Sequence, residues 1–327
     1  MSRIPPAAQG ISSSQIAPTW LVEDMLRVEE ILLGAAGGSS NPLVAAASTH
    51  LVKAGGKRLR PSLVLLASRV GEPGRRETDL AAAAVELVHL ASLYHDDVLD
   101  QTGTRRGVPT AHSEWGVDVA ILAGDYLFAK GCWLGARAGD GVPLILSNAI
   151  AELCEGQIAE SNAVGDPQRS VDEYLDTITR KTASLFRSAC EMGASTAGAP
   201  LEDQAALADY GLNLGLAFQV VDDLLDFLGD PQITGKVPGT DLREGVYTLP
   251  VLIACERDAS LQARLARGDR DLDRVLPVLE STGALDAALD EAASFGRRAA
   301  SSLDGLPDDD WKAVLLTIVE GVLAQLN

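Results

Sequence analysis

From Trp20 onward, apolar residues return every three or four positions, beginning with Leu21, Met25, Val28 and Leu32 and continuing through nearly every later segment. That spacing lines up one stripe of an α-helix, whereas a half-buried strand alternates every second residue. Strand signals are almost absent, so the chain is expected to be all-α. Its punctuation agrees. Pro61 suits the first turn of a helix, and Ser170 with Glu173 three residues later makes a capping box before an apolar run. Gly103, Gly107 and Pro109 interrupt one long helical stretch, and Gly229, Pro231, Gly235, Pro238 and Gly239 interrupt another. Residues 1–19, rich in Ser, Pro and Ala, read as a mobile tail. No internal repeat or low-complexity linker divides the rest, so residues 20–327 are expected to form one domain.

Charge narrows the function. Forty-six acidic residues against 27 basic ones give a formal charge of −19, which argues against nucleic acid or an anionic membrane surface as the main partner. The opening residues lack a signal-peptide pattern, and no apolar run of about 18 residues appears. A cytoplasmic protein without stable membrane insertion is expected. Cys132, Cys154, Cys190 and Cys255 lie far apart in apolar helical stretches, and read as reduced core thiols.

Two clusters stand out against this background. Asp96, Asp97 and Asp100 form one DDxxD set, and Asp222, Asp223 and Asp226 form another. Within each set the first and last aspartates are four apart, so they share a helix face and can converge on one cation. A solvated acidic face is the plain alternative. The flanks oppose it, with Leu90, Leu93, Val98 and Leu99 around the first set and Phe218, Val220, Val221, Leu224 and Leu225 around the second. Each set also lies near a helix end where the macrodipole disfavours negative charge. Crowded carboxylates there call for cations between them. Magnesium, a hard ion that keeps waters for a phosphate partner, fits such oxygen donors better than zinc.

Positive charge is scarce, so its placement is informative. Gly55, Gly56, Lys57, Arg58, Leu59, Arg60 and Pro61 form a Gly-rich basic turn, and Arg105 and Arg106 follow the first aspartate set. Lys181 and Thr182 lie mid-helix, and Lys236 sits in the interruption after the second set. Arg holds two phosphate oxygens in a fork and Lys acts as a mobile point charge. Two carboxylate sets with two groups of cations imply one diphosphate carried on magnesium and a second held directly by side chains.

With these residues in place, the sequence resembles the trans-isoprenyl diphosphate synthases, or polyprenyl synthetases. The matching segments are GGKRLRP at 55–61, ELVHLASLYHDDVLDQTGTRRG at 86–107, GDYLFAKG at 124–131, KTASLF at 181–186 and FQVVDDLLDFLGDPQITGKVPGTDLREGVYTLP at 218–250. The resemblance implies an isoprenoid-synthase-type helical bundle with a central active-site cavity, usually a homodimer. It implies that Asp96 and Asp100 bind magnesium with Asp97 in support, and that Asp222 binds it from a facing helix with Asp223 and Asp226 near. Three magnesium ions are implied with substrate bound. Arg105, Lys181, Thr182, Gln219 and Lys236 match positions that hold the allylic diphosphate. Of these, Lys181, Thr182, Gln219 and Lys236 are the catalytic candidates. Lys57, Arg60, His89 and Arg106 match positions that hold isopentenyl diphosphate. His89 alone would read as a core histidine. Residues 259–327 add helices but no recognisable chemistry.

The reaction implied is ionisation of the allylic carbon–oxygen bond, attack by the double bond of isopentenyl diphosphate, and proton loss to the released pyrophosphate. Preorganised electrostatics carries it, and the cavity must exclude water. Product length is expected to follow the helix that ends at Asp96. Ala91 and Ser92 lie about one turn before the metal site, with Val88 and Ala84 at the next levels. In the family, bulky aromatic residues at Ala91 and Ser92 would block the channel. Small ones imply geranylgeranyl or longer, with hexaprenyl to decaprenyl favoured over a short-chain farnesyl or geranylgeranyl synthase. A terpene cyclase has no use for a second diphosphate site, and a non-catalytic subunit would have lost an aspartate set.

Overall fold

The computed structural model describes residues 18–229 and 238–326. The elements in chain order are α1 (Thr19–Ala36), α2 (Pro42–Lys53), α3 (Leu59–Ala67), α4 (Arg76–Leu99), α5 (Ala111–Trp115), α6 (Val117–Gly135), α7 (Val142–Asn162), α8 (Val171–Ile178), α9 (Ser184–Thr196) and α10 (Leu201–Leu228). They continue as α11 (Thr240–Glu244), α12 (Leu249–Arg257), α13 (Ala259–Leu265), α14 (Leu272–Ser281), α15 (Ala284–Ser302) and α16 (Asp310–Leu323). Helix begins at Thr19, one residue before Trp20. The rest of the expected tail lies outside the described residues, as does most of the second interruption. Pro61 sits in the first turn of α3, and the capping box is present, with Glu173 N donating to Ser170 Oγ and Ser170 N donating to Glu173 Oε2.

The described chain groups into two compact units. Unit 1 draws on Met1–Ile150, Ser188–Ala208 and Leu306–Val314, and unit 2 on Ala151–Arg187, Asp209–Gly305 and Leu315–Asn327. In unit 1, α4 packs chiefly on α6, with α1 and α3 also against it. Its run Ala81–Ala84, Val85, Leu87, Val88, Leu90 and Ala91 is fully buried, as expected of a helix apolar all round. The approach is close: a methyl group added at Gly131 of α6 would lie 3.0 Å from Val88 Cγ2 and 3.1 Å from Ala84 O. In unit 2, α12 packs on α15, α14 and α8.

One feature was not expected, and one expectation needs correction. A two-residue antiparallel ladder interrupts the helices, β1 (Thr104–Arg105) against β2 (Val108–Pro109). Arg106 (φ 53°) and Gly107 (φ 77°) both take left-handed backbone at its tip, the pattern of a tight hairpin turn. And of the four free cysteines only Cys190 and Cys255 are buried; Cys132 and Cys154 fall on the exposed sides of α6 and α7.

Candidate active site

In unit 1 the first aspartate set closes α4. Asp100 is its C-cap, exposed, and Asp96 is half-buried. Asp97, 1% exposed, points the other way, because the next residue on a helix lies about 100° round. Its Oδ1 accepts from Arg105 Nε at 2.5 Å, and Oδ2 is buried without a hydrogen-bond partner among the described residues. Burial pushes its carboxyl above the usual range despite Arg105. His95, adjoining the set, turns onto α6 instead, 3.2 Å from Ile121 O and 3.4 Å from Asp125.

The basic turn precedes α3. Gly55 and Gly56 (φ 87° and 150°) and then Arg58 (φ 49°) take positive φ. Left-handed backbone costs a non-glycine residue roughly 1–2 kcal/mol, and buried ion pairs hold Arg58 there. Its guanidinium, 3% exposed, meets Glu29 at 2.5 Å, Glu86 at 3.0 Å and Val52 O at 2.9 Å. Arg58 is thus a structural pin, and Glu86 its buried counter-charge. Arg106 donates to Gly55 O and lies across Gly56, where a side-chain carbon would sit 2.8 Å from its guanidinium carbon. Glycine is therefore required at Gly56 twice over, by backbone and by contact.

Arg60, His89 and Arg106 come together around this turn, and Lys57 stands exposed on it. Burial, offset by Glu86 and reinforced by Arg106, pushes the Arg60 guanidinium down to about 10. Burial also lowers Arg106, with Arg58 and Arg105 adding to it. His89 is driven well below the ordinary histidine range by burial and then by Arg60, Arg106, Arg105 and Arg58. It is a neutral imidazole among guanidinium groups. Farther up α4, Ser92 Oγ donates to His89 O, and Ala91, Val88 and Ala84 are buried, the last two against α6 at Gly131.

In unit 2 a π-turn, Thr179–Ala183, joins α8 to α9 and carries both Lys181 and Thr182. Such turns recur at functional sites. Lys181 Nζ pairs with Glu160 of α7. Thr182 Oγ1 donates to Gln219 Oε1 at 2.8 Å, and Gln219 Nε2 donates to Asp223 Oδ1 at 2.9 Å. Tyr174 Oη donates to Asp223 Oδ2. Asp223 is buried, which raises its carboxyl well above the usual range although Tyr174 and Gln219 both oppose the shift. Asp226, also buried, accepts from Thr240 N at 3.1 Å and Asp241 N at 3.2 Å, capping α11. Asp222 is half-buried. Lys236 lies outside the described residues.

Among the described residues no three His, Cys, Asp or Glu side chains stand close enough to hold a metal ion. Asp97, Asp223 and Asp226 are turned to protein partners, leaving Asp96, Asp100 and Asp222 as the more accessible carboxylates. Sequence reasoning missed Glu86, Glu160 and Tyr174. Glu86 could have been flagged as an acid within an apolar helix.

The sequence model of the family described as polyprenyl synthetase matches residues 41–280. The chain belongs to the polyprenyl synthetase family. It is a prenyltransferase of the all-α isoprenoid-synthase fold. A nonaprenyl diphosphate synthase of Mycobacterium tuberculosis is 37% identical over 279 residues, 83% of each chain. The crystal structure of a decaprenyl diphosphate synthase from Rhodobacter capsulatus matches with a TM-score of 0.89 and 35% identity, covering 99% of this chain and 100% of that one. A geranylgeranyl pyrophosphate synthase from Corynebacterium glutamicum, complexed with calcium and isoprenyl diphosphate, matches with a TM-score of 0.82 and 36% identity over 94% of this chain and 96% of that one.

Proposed function

We propose that this polyprenyl synthetase condenses isopentenyl diphosphate with an allylic diphosphate to give an all-trans hexaprenyl to decaprenyl diphosphate. The carrying observation is the gathering of Arg60, Arg106 and His89 around the basic turn, where burial and neighbouring positive charge bear on each of them. Such a cluster gains most from a polyanion. Lys57, Arg60, Arg106 and neutral His89, through a ring N–H, hold the isopentenyl diphosphate there.

The aspartates present only oxygen donors, with His95 turned away, and this set fits magnesium. Asp96, Asp100 and Asp222 would hold it, with Asp97, Asp223 and Asp226 in support. Bound magnesium, three ions by the family resemblance, would neutralise charge on the allylic diphosphate; calcium with isoprenyl diphosphate in the Corynebacterium structure is in keeping with this. Lys181, Arg105 and Lys236 stabilise the departing diphosphate, and the Thr182 and Gln219 oxygens face the cationic allylic carbon. The isopentenyl double bond then bonds to that carbon, and a proton passes to the released pyrophosphate. Most of the rate enhancement comes from charges already in place.

The reading takes 20–327 as one domain, supported by unit boundaries that fall inside α7, α9, α10 and α16. A homodimer is supported by exposed Ile121, Leu122 and Trp133 on α6 and Leu144 on α7. No helix among the described residues is long and apolar enough to cross a membrane, and a cytoplasmic location is part of the proposal. Small Ala91 and Ser92 and the nonaprenyl and decaprenyl relatives favour a long product. Geranylgeranyl stands second, because Val88 and Ala84 pack on α6. The test is labelled isopentenyl diphosphate with several allylic primers and magnesium, followed by sizing of the dephosphorylated products. Chains of six to ten isoprene units are expected; no incorporation overturns the activity, and farnesyl or geranylgeranyl as main product overturns the length.

A further inference from the structure

The geometry points to Tyr174 and Asp223 as a positioning pair that sets the direction of the hydrogen bonds reaching Thr182, so that the Thr182 oxygen turns its lone pairs outward. This rests on the proposal that Thr182 and Gln219 face the reacting allylic group.

Every donor in the chain points toward Asp223. Thr182 gives its hydroxyl proton to Gln219 Oε1, Gln219 gives an amide proton to Asp223 Oδ1, and Tyr174 gives its hydroxyl proton to Asp223 Oδ2. With its proton committed, Thr182 Oγ1 has only lone pairs left to offer. Asp223, accepting at both of its oxygens, orders the amide and then the hydroxyl in the sense that leaves that oxygen's lone pairs free. A cationic carbon calls for this polarity, and a Gln219 amide turned end for end would destroy it. Tyr174, 3% exposed and reaching from α8, holds Asp223 so that it stays an acceptor toward Gln219.

The π-turn makes the arrangement possible. Tyr174 and Thr182 are eight residues apart, which on an unbroken α-helix separates them by roughly 80°. The extra residue of a π-turn removes one step and brings them within roughly 20° of one face. Both then meet α10, where Gln219 and Asp223 lie one turn apart.

The experiment is a double-mutant cycle read by single-turnover rate constants, which do not depend on the fraction of active enzyme. Tyr174→Phe should slow the single turnover by up to roughly tenfold, the worth of one buried hydrogen bond, with the KM for isopentenyl diphosphate unchanged. Thr182→Val, which removes the hydroxyl, should slow it at least as much, and adding Tyr174→Phe to Thr182→Val should cost less than twofold more. Fully additive losses, or a wild-type rate in Tyr174→Phe beside a slowed Thr182→Val, overturn the positioning role alone. A wild-type rate in Thr182→Val overturns the placement of Thr182 at the reacting carbon, and the inference with it. Should Tyr174→Phe fail to fold, Asp223→Asn takes its place in the cycle with the same expected non-additivity.

Discussion

The two aspartate sets share a spelling, yet their surroundings differ in kind. In the first, the buried middle carboxylate, Asp97, is met by a guanidinium from the following hairpin, and the adjoining turn is crowded with Arg58, Arg60 and Arg106. In the second, the buried middle carboxylate, Asp223, accepts from the neutral donors Tyr174 and Gln219 among the described residues, and the last, Asp226, caps a short helix. DDxxD is therefore not three equivalent ligands. The first aspartate is half-buried in both sets, while the buried ones, Asp97, Asp223 and Asp226, do local work that depends on what each neighbourhood has to offer.

The largest effect should fall on the first aspartate of both sets alike. Asp96→Asn and Asp222→Asn are each expected to lower turnover on the order of a hundredfold or more; steady-state rates showing only one of them impaired would break the equivalence. Next come the guanidinium groups of the first region. Arg60→Ala and Arg106→Ala should raise the KM for isopentenyl diphosphate by roughly thirtyfold, at the lower end for a truncated buried charge contact. The KM for the allylic primer should stay near wild type, and the reverse pattern would exchange the two diphosphate assignments. Ala91→Phe, on the buried face of α4, should shorten the main product toward farnesyl or geranylgeranyl while ionisation persists. Product sizing that shows no change in a folded variant would place the floor of the channel elsewhere.

The smallest effect separates the regions by pH. His89 holds its proton less tightly in the folded state than the unfolded one, so the unfolded state binds more protons as acid is added. Its contribution to stability is full above about 6.5 and is lost as pH falls from there toward its lowered folded value. Asp97 and Asp223, raised in the fold, act in the opposite sense. Thermal melting of His89→Gln should therefore decline less than wild type between about pH 7 and pH 5. An identical decline would show that His89 already titrates normally among its arginines.

Much of the fold and of the site is legible in the amino-acid sequence. Period and caps place the helices, and the scarcity of Lys and Arg makes the basic turn and the paired arginines conspicuous. The hairpin is not legible, because Thr104–Arg105 and Val108–Pro109 are too short for alternation to register and Arg106 occupies a backbone region normally left to glycine. Nor can sequence separate Arg58 from Arg60, since the difference is made by Glu29 and Glu86 arriving from α1 and α4. The π-turn has no spelling of its own: KTASLF reads as ordinary helix. Cys132 and Cys154 read as core because apolar neighbours look alike whether they face a core or lie on an open face.

The most direct measurement is the magnesium dependence of single-turnover condensation in four variants, Asp96→Asn, Asp97→Asn, Asp222→Asn and Asp223→Asn. Unequal roles within each set predict that half-saturating magnesium rises by well over tenfold in the Asp96 and Asp222 variants, where a charged ligand is lost, and by no more than roughly tenfold in the Asp97 and Asp223 variants, which only support the ligands. Equal shifts in all four would contradict the account and restore three equivalent ligands to each set.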